Sequence, residues 1–151
     1  MSAKITALAD AVVDALRGLD PAQAARVQRQ YVGRQTLHAD NSITIYVVPK
    51  GIEEVRSNRN QWQGDYQIDV VILAKLQEPL ADSDIEMDAL MELADKVRAE
   101  LKTHVGNDSL TADSTGFQLV GITTAVPYDP AMLKEEQAFG SQITATYRMI
   151  G

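Results

Sequence analysis

At 151 residues the chain fits a single domain over 1–151, and a domain of that size buries roughly 68–70% of its unfolded surface, so it needs no covalent staple. It holds no cysteine, which excludes disulfides, thiolate metal sites and cysteine nucleophiles and suits a reducing compartment. A net charge of −7 argues against general nucleic-acid binding, and no run approaches the roughly 18 apolar residues of a membrane-spanning helix.

Residues 3–18 predict an amphipathic helix, with Ile5, Leu8, Val12, Leu16 and Leu19 on one stripe. Ser2 suits its start and Gly18 its end. Asp10 and Asp14 interrupt the apolar run, so this segment does not read as a signal peptide. Asp20 and Pro21 form a cap followed by a first-turn proline. Residues 26–33 predict an edge strand with Val27 and Tyr31 on one side. Residues 43–48 predict a firmer strand, with Ile43, Ile45 and Val47 facing away from Thr44, Tyr46 and Val48. Pro49 is expected to end it, because proline cannot donate to a ladder.

Residues 50–63, "KGIEEVRSNRNQWQ", then read as a long polar loop, since hairpin loops usually run about 2–5 residues. A strand over 64–76 follows. Tyr66, Ile68, Val70, Ile72, Ala74 and Leu76 form one apolar face. Asp65, Gln67, Asp69, Val71, Leu73 and Lys75 form the other, polar at its ends. The second helix opens on a capping box, Ser83 to Glu86, and ends near Gly106 and Asn107. Its buried stripe is expected to be Ile85, Ala89, Leu93, Val97 and Leu101, widened by Leu90 and Ala94. Strands over 117–126 and 143–150 flank a short helical turn that starts at Asp129 and Pro130. The order implies an α+β fold: a mostly antiparallel five-stranded sheet, two helices packed on one face, and the long polar loop between strands 2 and 3.

Catalytic signals are sparse. Residues 82–88, "DSDIEMD", space carboxylates like a calcium loop, but Met87 stands where that loop needs glycine and Leu93 where it needs glutamate. A helix start explains the run. His38 and His104 have no histidine partner at i+4. The triplet in "DSTG" (113–116) is one residue off a protease signature and carries no weight. No hydrolase or nucleotide motif occurs. Asp69, in mid-strand, reads as a hydrogen-bonded structural carboxylate. No catalytic residue, cofactor or metal is expected.

Binding signals are stronger. Lys50, Arg56, Arg59 and Trp62 lie in the predicted loop, and Arg and Trp are frequent interface anchors. A water-exposed loop is the plainer alternative, and phosphate or base stacking a third, set against the acidity of the chain. Charge is also uneven. Residues 26–59 carry six Lys/Arg against three Asp/Glu, and residues 78–100 carry eight Asp/Glu against two Lys/Arg. Two solvated faces would give this pattern. So would complementary surfaces for self-assembly, built from Arg26, Arg29 and Arg34 on one side and Asp88, Glu92 and Asp95 on the other.

Several phrases in this order carry a resemblance: "ITALADAVVDAL", a strand ending "VVP", "YQIDVVILAKL", "DIEMDALMELADKVRAEL", "AVPYDP" and "FGSQITATYRM". The chain resembles the small tail-terminator or tail-completion proteins at the neck of tailed bacteriophages. The resemblance rests on patterning over most of the chain, not on a catalytic motif. It implies an α+β subunit of a ring, commonly a hexamer, that ends the tail tube and faces the head connector. Its partners would be itself, the tube protein and connector or adaptor proteins. DNA would pass through the ring, and the protein would reside in the virion after assembly in the host cytoplasm. Under this resemblance the polar loop projects towards the tube or a neighbouring subunit. Competing expectations are another neck or capsid component, a small enzyme using Asp69, Asp65 or the acidic helix start, and a monomer with a buried apolar ligand pocket.

Overall fold

The computed structural model describes residues 3–18, 26–31, 43–76, 84–103, 110–112 and 115–150. In chain order these form α1 (Lys4–Arg17), β1 (Arg26–Arg29), β2 (Thr44–Asn58), β3 (Gln61–Lys75), α2 (Asp84–Lys102), β4 (Leu110–Ala112), β5 (Thr115–Val126), α3 (Pro130–Glu136) and β6 (Ala138–Ile150). Among the described residues the six strands make one sheet in the order β1-β2-β3-β6-β5-β4. The sheet is mixed: β1 runs parallel to β2, and the remaining neighbours are antiparallel.

The α+β class holds. The finer expectation, a mostly antiparallel five-stranded sheet with two helices, is corrected: the described residues form a mixed sheet of six strands with one parallel pair, and three helices. Strand direction depends on which neighbour a strand meets. A parallel pair cannot share a tight hairpin, and here residues 30–43 make the connection. Ser2, Leu19, Asp20, Pro21, Arg34, His38, Asp82, Ser83, His104, Gly106, Asn107 and Asp113 fall outside the described residues.

The core lies between the sheet and the α1–α2 layer. Leu8, Val12 and Leu16 are buried on the predicted face of α1. In β3 the whole predicted apolar face, from Tyr66 to Leu76, enters this core, because alternate residues of a strand share a side. β3 is central and pairs with β6 without interruption from Asp65↔Arg148 to Lys75↔Ala138. α2 buries Leu90, Leu93, Ala94, Val97 and Leu101. Two expected core residues fail: Ile85 is 86% exposed and Ala89 is also exposed. That end of α2 still meets the core, through Met87 and Met91; Ile85 and Ala89 miss it because a strict four-residue row drifts about 40° per step around an α-helix.

α3 packs on the opposite face. Asp129 caps it by accepting from the backbone N–H groups of Ala131 and Met132 at 3.0 and 3.3 Å. Met132 packs against a small second core of Tyr46, Val48 and Leu73. Gly140 admits this packing, since a Cβ there would lie 2.6 Å from the Met132 sulfur. At the C-terminal end of α3, Gln137 takes a left-handed conformation, φ 50°, which lets the chain turn directly into β6.

Candidate functional site

Residues 50–63 are not a loop. β2 continues through Pro49 to Asn58, and β3 starts at Gln61, so Arg59 and Asn60 alone form the turn. Two physical reasons overturn the expected stop at Pro49. Among the described residues β1 makes its last bond to β2 from Gln30 N to Val47 O, and no described strand flanks β2 on that side beyond this point, so a missing donor is tolerated there. The register also slips by one residue between Pro49 and Gly51, and again between Arg56 and Asn58. Both slips add a residue to β2, and such bulges bend and twist a strand.

The result is a projecting β-hairpin arm. Among the described residues β6 accompanies β3 only as far as Asp65, so residues 54–64 extend beyond the rest of the sheet as a two-stranded ribbon, with Ile52 and Glu53 at its base opposite Tyr66 and Asp65. Every residue from Ile52 to Trp62 is exposed. Ile52, Val55 and Trp62 are 50%, 46% and 60% exposed. Cross-strand pairing of Ile52 with Tyr66 and of Arg56 with Trp62 puts Ile52, Arg56 and Trp62 on the side of the sheet that carries α1 and α2. Val55 pairs with Gln63 and faces the other way.

The turn is held by its own polar groups. Arg56 donates to the carbonyls of Asn58 and Arg59 at 3.2 and 2.5 Å. The Asn58 side chain accepts from Asn60 N at 3.0 Å and donates to Gln61 Oε1 at 2.9 Å. At the base of the arm, Arg148 Nε donates to Asp65 Oδ1 at 3.0 Å.

The four candidate residues of this segment therefore separate. Lys50 turns back to Asp69, 3.8 Å away, and Arg56 is committed to the turn. Arg59 and Trp62 are exposed, and among the described residues the Arg59 guanidinium has no ion pair. Of the candidate charged faces, Arg29 meets Asp10 at 3.1 Å and lies 5.7 Å from the Tyr31 ring centre. Arg26 is exposed on β1. Asp88 and Glu92 are exposed on α2, where Asp95 pairs with Arg98.

The second feature is a trough of about 630 Å³ on the sheet face that carries α3. Val48, Val71, Leu73, Val126 and Met132 supply its apolar lining, and Asp69, Asp129 and Glu136 supply acid. Asp69 is buried and accepts from Gln142 Nε2 at 2.9 Å and Thr144 Oγ1 at 2.7 Å. These partners answer the expectation of a hydrogen-bonded carboxylate. Among the described residues, no three His, Asp or Glu side chains gather as a metal site. Sequence reasoning missed Ile52 and Val55, whose only signal was an apolar residue within a polar run. It also missed the trough, which no local pattern encodes.

No family model matches the chain, and no curated protein matches it. A solved structure that carries no descriptive name is similar over 100% of this chain and 97% of its own, with TM-score 0.44 and 12% identity.

Proposed function

We propose that this chain is a structural protein of the phage neck, whose copies associate into a ring that caps the tail tube and meets the head connector. The projecting arm is the observation that carries this reading. It holds Val55 and Trp62 in water, with Ile52 exposed at its base, on a ribbon whose outer residues lie outside the buried core. Exposed aromatic and aliphatic anchors on a projection suit a contact with another protein surface. The resemblance in patterning to tail terminators supplies the particular assembly. The arm is unlike the exposed acidic side of α2, and a subunit with unlike contact surfaces associates head to tail, which closes into rings when the rotation permits.

Mass photometry across a concentration series tests the reading. A discrete ring-sized oligomer is expected, and Ile52→Ser with Trp62→Ala should shift it to monomer while circular dichroism stays unchanged. A monomer at every concentration, with tube protein also present, would sink the proposal.

A further inference from the structure

We infer that the arm of one copy seats in the α3-side trough of the next copy, with Trp62 on its apolar floor; this rests on the self-assembly reading above. Three observations support the pairing. The first is reach. The arm cannot enter its own trough, because it runs outward along β3, and from Trp62 to Val71 that strand rises about 30 Å. An arm seated in the trough must therefore belong to another copy.

The surfaces also match in chemistry. The trough offers Val48, Val71, Leu73 and Met132 over about 630 Å³, a size that takes an indole and an aliphatic side chain within the range of ordinary binding sites, roughly 300–1,000 Å³. The hairpin offers Trp62 near its tip and Ile52 at its base on the same side. At the tip the charge is opposite to that of the trough: Asp129 and Glu136 border the trough, Arg59 stands at the arm's turn, and the acids Glu53 and Glu54 lie back towards the arm's base. Opposite charge at a contact favours one register and orientation over others. Because arm and trough are different surfaces, each copy gives one and receives one.

Cysteine cross-linking tests the seat. The chain has no cysteine, so Arg59→Cys and Glu136→Cys in separate chains each carry a single thiol. Mixed under mild oxidation, they should link to each other in several-fold excess over either self-linked pair. Adding Trp62→Ala to the Arg59→Cys chain should cut that yield about ten-fold or more, as truncation of a buried aromatic anchor does. An oligomer without excess mixed linkage overturns the seat and leaves self-assembly standing. Linkage indifferent to Trp62→Ala overturns the role given to the indole. A monomer throughout overturns both this inference and the assembly reading.

Discussion

The inner and outer halves of the β2–β3 hairpin share one backbone ladder and differ in almost everything else. From Thr44 to Val48, β2 is buried on both sides; from Ile52 to Asn58 it is exposed. Inside, helices and neighbouring strands cover the side chains. Outside, main-chain pairing and the polar bonds of the turn hold the ribbon. Regular strand structure therefore does not require burial, and side-chain alternation reports burial more than pairing.

Substitutions in the two halves should separate these roles. The largest stability loss is expected at the core: Ile68→Ala should cost about 2–5 kcal/mol in urea unfolding, from lost burial and the cavity left behind. A loss below that range would mean that the central strand repacks. Asp69→Ala should cost about 1–3 kcal/mol, because Gln142 and Thr144 lose their acceptor; an unchanged midpoint would count against a structural role.

Tyr147 gives a smaller effect of opposite sign. Its hydroxyl is buried without a partner among the described residues, and burial raises it above the ordinary value of 10.0. The folded chain keeps that proton where the unfolded chain releases it. The contribution is complete below pH 10.0 and is lost as pH rises from there towards the folded value. Tyr147→Phe should be neutral or up to about 1 kcal/mol stabilising near neutral pH, with a shallower alkaline decline. An equally steep decline would assign it to other groups, Tyr66 among them, which burial and then Glu54 also raise. The smallest stability change is expected on the arm. Trp62→Ala should stay within about 0.5 kcal/mol in the monomer while weakening assembly, and a large loss of monomer stability would make the arm part of the core.

Much of the body was legible in the residue order. The α1 stripe, the apolar face of β3 and the Asp129 cap depend on spacing within a few residues. The arm was misread because its side chains face water on both sides and leave no period of two, and because Pro49 is a stop only where a neighbour needs its N–H. Ile85 kept its four-residue spacing, yet it is exposed because that row drifts around the helix and Met87 takes the core side at that end.

Local order thus determined which side chains leave water along α1 and β3, through the fixed periods of helix and strand. The tertiary structure alone decided that β1 runs parallel to β2, that Asp69 meets Gln142 and Thr144 across 73 and 75 residues of chain, and that a trough forms under α3. Each of those depends on which distant segment arrives alongside, and no local period carries that information.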